Sequence, residues 1–200
     1  MAILKVARMG HPLLRAENER VSVRQLQSAG FQAFIEDMIE TMQEYDGVGL
    51  AAPQVHTNFK LLVMERIELK SKGLKRSRRQ KSKTVPGEEE GVLVLANPVV
   101  EILTDELGGM WEGCLSLPGL NGYVERAVKI RVNALDRHGK KLEMELEGFQ
   151  AVILQHELDH LEGVLFVDRL ADPRFLAYSE EYQRFYAKGT EEEEEDTAIG

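Results

Sequence analysis

Residues Gln155 to Gly163 read QHELDHLEG, placing two of the chain's five histidines four positions apart around a glutamate. On a helix, positions i and i+4 lie one turn apart on the same face, so His156 and His160 can reach one ion. Glu157, beside the first histidine, can reach a water on that ion. The bland alternative is an exposed, charged helix face with two unrelated histidines. Choosing between them needs a further ligand and a task for the glutamate.

Cys114, in MWEGCLSLPG, is the candidate third ligand. As the only cysteine it has no internal disulfide partner, which leaves a buried apolar residue, a reactive thiol or a ligand. A thiolate with two neutral imidazoles favours zinc or iron and leaves a fourth position for water. A protease-like rival takes its third ligand from a downstream carboxylate. Glu180 and Glu181 follow His160 by about twenty residues, which suits that rival. Spacing alone leaves both open.

The elements that must hold these residues read as follows. GFQAVILQHELDHLEG is a helix closed by Gly163, and Phe149, Val152, Ile153 and Leu154 make its first half apolar nearly all round. Such a helix is buried, and a polar His-Glu-His face on it needs a specific partner. VRQLQSAGFQAFIEDMIETMQEYDG is an amphipathic helix with Phe31, Phe34, Ile35, Met38 and Met42 at helical spacing, ended by Gly47 as a left-handed cap. GVGLAAPQV is small and apolar, so backbone can approach a ligand there. It is no phosphate loop, because the glycine spacing is wrong and no lysine follows. KLLVMERI, VLVLANP and VVEIL read as strands, and VKIRVNAL with KLEMELEG as a hairpin about Asp136–Gly139. DPRFLAYSEEYQRFYAKG is expected to be a third helix with Pro173 near its start. Strands outnumber helices and hairpins dominate, so the fold class is α+β, with antiparallel sheets packed around the buried helix that carries HExxH.

The 200 residues suit one domain, expected over residues 1–189. A basic loop at about 69–91 holds eight lysines and arginines, and TEEEEEDTAIG makes residues 190–200 an acidic, disordered tail. Hydrophobic content of 43% argues against wholesale disorder. A net charge of −9 speaks against a chain-wide nucleic-acid surface, and so against DNA as a partner. No apolar run is long enough to span a bilayer, and MAILKVARMG lacks the apolar stretch of a signal peptide, so a cytoplasmic protein is expected.

Three segments in order, GVGLAAPQ at 47–54, EGCLS at 112–116 and QHELDH at 155–160, resemble the signature motifs of the peptide deformylases. The resemblance runs from GHPLLR at 10–15 to VLFVDRL at 164–170. It implies Cys114, His156 and His160 as metal ligands and Glu157 as the catalytic acid/base. Gln54 and the N–H of Leu115 would hold the substrate oxygen. Val48, Met110, Phe149, Val152 and Ile153 would line the pocket for an unbranched apolar side chain, with the Gly49 backbone pairing with the peptide. For these apolar residues plain core is the competing reading, and for Gln54 an ordinary polar residue after a proline turn. The implied activity removes the formyl group from the N-terminal formylmethionine of newly synthesised polypeptides and releases formate.

The residue types suit that reaction. A formamide is a poor electrophile and neutral water a poor nucleophile. A divalent metal lowers the pKa of bound water, which becomes the nucleophile, and Glu157 moves its proton to the leaving amine. The resemblance implies one divalent ion, Fe2+ as the native choice, with Zn2+, Ni2+ and Co2+ as alternatives at the same site. A thiolate beside iron(II) suits a reducing cytoplasm.

Two departures stand out. Where the family commonly has Val-Pro-Arg, this chain has Val124-Glu125-Arg126; Arg126 keeps the option of pairing with Glu112, while the strand's path is open. The basic loop is longer than in many bacterial members, and reads either as a solvated insertion or as a contact with ribosomal RNA. The acidic tail is a solubilising end or a partner for that loop. Two other classes stay in view: a metalloprotease, and a non-enzymatic, metal-stabilised ribosome-binding protein, which would need a fourth protein ligand.

Overall fold

LLVME and VLVLA are apolar at nearly every position, the pattern of strands covered on both faces rather than one. The computed structural model, which describes residues 2–66, 88–89 and 91–187, shows that covering. In chain order its strands are β1 (Gly49–Ala51), β2 (Leu61–Glu65), β3 (Glu88–Glu89), β4 (Val92–Ile102), β5 (Leu107–Gly113), β6 (Leu120–Ala127), β7 (Lys129–Leu135), β8 (Lys141–Glu147) and β9 (Leu176–Tyr178). The helices are α1 (Val23–Leu26), α2 (Ala29–Glu44), α3 (Phe149–Leu161) and α4 (Ser179–Phe185).

An antiparallel sheet runs β1-β2-β4-β7-β8, with β3 hairpinned onto β4; a second runs β5-β6-β9. Along β2, Leu61 and Val63 face one core while Leu62 and Met64 face another. β4 alternates in the same way, with Val92, Val94 and Ala96 against Leu93 and Leu95. Ile35, Met38 and Met42 of α2 cover the first face, and Ala151, Ile153, Leu154 and Leu161 of α3 cover the second. Each Val, Leu, Ile or Met among them, fully buried, contributes about 1.5–3 kcal/mol. Helix α3 touches β1, β2 and β8 of the large sheet and β6 of the small one, so it is buried between them. The expected fold class is the observed one.

Local differences from the sequence reading have local causes. The first amphipathic stretch is two helices, because Ser22 caps α1 in a box with Gln25 and Ser28 then caps α2. Asp46, not Gly47, takes the left-handed conformation after α2, at φ 54°. Gly163 does close α3 in that conformation, at φ 72°. VLVLANP and VVEIL form one strand, β4, whose register shifts between Ala96 and Val99. Asn97 sits in that irregularity at φ 53°, where its side chain makes both hydrogen bonds to the Val21 backbone at 2.8 Å. The expected third helix is instead a 3-10 turn at Pro173–Phe175, strand β9 and the shorter α4. Most of the basic loop and all of the acidic tail lie outside the described residues, but Glu88–Glu89, inside the expected loop, pair with β4 as a strand. Glu125 needs no detour, since β6 runs through Val124–Arg126 in unbroken register with β5.

Candidate active site

Helix α3 carries His156, Glu157 and His160 into the space between the sheets, and Cys114 follows directly on the end of β5. One ligand atom from each of Cys114, His156 and His160 lies within 4.8 Å of the others. The Cys114 Sγ is 3.2 Å from His160 Nε2. His156 Nδ1 lies 2.8 Å from Glu112 Oε2, which fixes the ring and leaves Nε2 as its ligand atom. Glu180 and Glu181, the rival ligands, are exposed on α4 and take no part in the cluster.

The carboxylate behind His156 is itself held. Arg126 Nη2 donates to Glu112 Oε2 at 2.9 Å and its Nη1 to Asp159 Oδ2 at 2.9 Å. Arg169 adds a donor to Asp159 Oδ1 at 2.8 Å. The pairing of Arg126 with Glu112 is as expected; Asp159 and Arg169 carry no such signal in the sequence, where each resembles an ordinary solvated charge. Burial works against the ionised Glu112, yet Arg126 and His156 outweigh it and hold its carboxyl below the usual range. From the protein's own groups, burial also opposes a charge on His156, but bonds with Cys114 and Glu112 hold it well above its ordinary value. Burial and the neighbouring positive charge of His156 keep His160 well below its own.

Glu157 is 4% exposed, and burial pushes its carboxyl up to about 7. A proton carrier works best when its pKa lies near the working pH. Its carboxylate lies against Gly49, where an added Cβ would stand 2.5 Å from Glu157 Oε1 and 2.8 Å from Cγ. Glycine at 49 is therefore what gives the glutamate its place. We expect Gly49→Ala to cost about 1–3 kcal/mol of stability through overpacking and about 100-fold in turnover through the displaced carboxylate. Denaturant unfolding and steady-state kinetics check the two parts, and wild-type turnover in this variant would show that the contact can relax freely.

A cleft of about 430 Å³ opens over these groups. Every site residue implied by the resemblance lines it except His160, which lies beneath at 1% exposure: Val48, Gly49, Gln54, Met110, Cys114, Leu115, Phe149, Val152, Ile153, His156 and Glu157. Gln54 both caps its turn and faces the cluster. Its Oε1 accepts from the Ala51 N–H at 2.7 Å, which aims Nε2 at Cys114 Sγ (3.6 Å) and Ser116 Oγ (3.3 Å). The lining also includes Trp111, Asn121 and Ser179, which the sequence reading did not single out.

A divalent cation fits this donor set. Three lone-pair donors converge, and two buried polar atoms beside them, Glu157 Oε2 and His160 Nδ1, have no hydrogen-bond partner. A bound cation would satisfy the converging lone pairs together.

A cysteine and two helix-borne histidines on an α+β frame, with a glutamate beside them, form a cluster that could hold a metal ion, a pattern shared with metal-dependent hydrolases. The chain belongs to the polypeptide deformylase family, whose model matches residues 3–175, and is therefore an enzyme. It is 40% identical to the peptide deformylase of Leptospira biflexa over 182 residues, 90% of this chain and 95% of the relative. The structure resembles the peptide deformylase of Thermotoga maritima at TM-score 0.71 and 33% identity, covering 86% of this chain and all of that one. It also resembles a Met-Ala-Ser-bound class I type b peptide deformylase from Acinetobacter baumannii at TM-score 0.70 and 34% identity, covering 84% of this chain and all of that one. Among the described residues no helix is long and apolar enough to cross a membrane.

Proposed function

We propose that the chain removes the formyl group from N-formylmethionyl nascent peptides with one divalent metal, held by Cys114, His156 and His160. The observation that carries this reading is the three-ligand cluster set beside a buried, partnerless Glu157 on the floor of the cleft. A bound divalent ion supplies Lewis acidity, acidifying water and drawing charge from a carbonyl oxygen. Glu157 accepts the water's proton and returns it to the leaving amine. Gln54 Nε2 and the Leu115 N–H receive the oxygen that gains negative charge, each such donor being worth about 3 kcal/mol. Glu112 fixes the tautomer and orientation of His156.

β1 and β5 are end strands of their sheets, and residues of both line the cleft. Their backbone edges suit an extended peptide, with Gly49 pairing to it. Met110, Val48, Phe149, Val152 and Ile153 offer an apolar wall for methionine. Fe2+ is the native ion in this reading, with Zn2+, Ni2+ or Co2+ able to replace it, and the soft thiolate suits all four. The catalytic domain is residues 1–189, working in the cytoplasm. Incubation with formyl-Met-Ala-Ser and with its unformylated counterpart tests the activity. Formate release from the first alone is expected; cleavage of an internal bond in either would replace this reading with a protease.

The basic residues between 69 and 91 give a further expected result. Deleting Lys70–Thr84 should leave formyl-peptide turnover nearly unchanged, since the segment lies outside all three motifs and closure costs grow slowly with loop length. If the segment is a ribosome contact, the deletion weakens co-sedimentation with ribosomes and flattens its salt dependence. Equal binding by both proteins at two salt concentrations leaves a solvated insertion.

A further inference from the structure

The family match ends at Phe175, yet the next residues complete the cleft. Strand β9 adds to the free edge of β6, pairing Leu120 with Tyr178 and Gly122 with Leu176. Trp111 of β5, itself a cleft residue, packs on Tyr182 and Tyr186 with ring centroids 5.1 and 4.7 Å away. Aromatic contacts of this kind add about 0.5–1.5 kcal/mol each beyond the area they bury. The segment is thus fastened to the wall of the cleft along both a backbone ladder and a ring cluster.

At the junction of β9 and α4, Ser179 faces the cleft. Its N–H donates to the Gly119 carbonyl at 2.9 Å, and its hydroxyl donates to Asn121 Oδ1 at 2.6 Å. Asn121, opposite Gly113 in the β5–β6 ladder, lines the same cleft. Gly113 immediately precedes the ligand Cys114, so the pair stands close to the chemistry without being part of it. The geometry points to Ser179 and Asn121 as a joined hydrogen-bonding wall that reads the peptide backbone of the residues following the formylmethionine. The hydroxyl retains its lone pairs for a peptide N–H. The Asn121 amide, which among the described residues makes one further hydrogen bond, a 3.5 Å donation to the Glu112 carbonyl, retains a second N–H for a peptide carbonyl. An apolar pocket needs no such pair to hold methionine. An extended chain leaving that pocket does.

This inference rests on the deformylase reading, and its test separates the two. Formyl-methioninamide ends at the first residue; formyl-Met-Ala-Ser continues past it. In the wild-type holoenzyme the longer substrate should have the higher kcat/KM. Ser179→Ala and Asn121→Ala should each lower that preference about three- to tenfold, the effect of one neutral hydrogen bond, through KM for the tripeptide rather than kcat. Ser179→Thr, which keeps the hydroxyl, should retain the preference. A preference unchanged in both alanine variants overturns the inference, as does an equal loss on both substrates, which would mark a structural role. Wild-type protein that deformylates neither substrate would instead remove the deformylase reading.

Discussion

Glu157→Ala should lower turnover of a formyl peptide by up to about 10⁴-fold, the upper range for a lost general acid/base, while the purified protein keeps its metal. The division of labour follows from position. Cys114, His156 and His160 converge on one point, whereas the Glu157 carboxylate lies beside them against Gly49. Removing it also removes a buried carboxyl whose Oε2 lacks a partner, so no large loss of stability is expected from the missing charge. Metal analysis of anaerobically purified protein, set beside single-turnover kinetics, checks both halves. A folded Glu157→Ala protein without stoichiometric metal would make the glutamate a ligand and collapse the assigned roles.

Cys114→Ser should weaken metal affinity by more than about 100-fold, beyond the range caused by losing an outer partner of a ligand. Activity should fall with occupancy. An alcohol stays protonated where a thiol ionises, and it is a poor replacement for soft thiolate sulfur. Glu180→Ala and Glu181→Ala should leave metal content unchanged, because both residues are exposed on α4, outside the ligand cluster. Metal titration monitored by competition with a chelator reads all three variants on one scale. Metal lost from either glutamate variant and kept by Cys114→Ser would restore the protease-like arrangement.

The convergence of His156 and His160 was legible because helix geometry itself fixes which residues meet at i and i+4. The buried character of α3 was legible for a similar reason, since Phe149, Val152, Ile153 and Leu154 make its first half apolar nearly all round. What surrounds them was not. Asp159 lies between the histidines and reads as a solvated charge until Arg126 and Arg169 are brought to it from β6 and from beyond Gly163. Gly49 gave a hint of close approach, but only the fold reveals that the approaching group is Glu157. Leu176–Tyr178 has helical spacing in the sequence and becomes a strand because the edge of β6 is there to pair with it. Tertiary pairing overrides local preference most readily in short segments. Ser179 and Asn121, 58 positions apart, carry no sequence signal at all.

That late strand bears on how the protein is made. The Cys114, His156 and His160 cluster is complete in the chain by His160, but β6 gains its second neighbour only from residues 176–178. During synthesis the chain therefore holds all three residues while one edge of the small sheet still shows unpaired N–H and carbonyl groups. Such an edge invites pairing with other chains. Because Glu112–His156 and Asn121–Ser179 join segments 44 and 58 positions apart, local contacts alone do not assemble the cleft. Completion waits on the emergence of β9, and a ribosome-bound chain stalled before Leu176 would be an aggregation-prone species with its cysteine and histidine cluster already encoded.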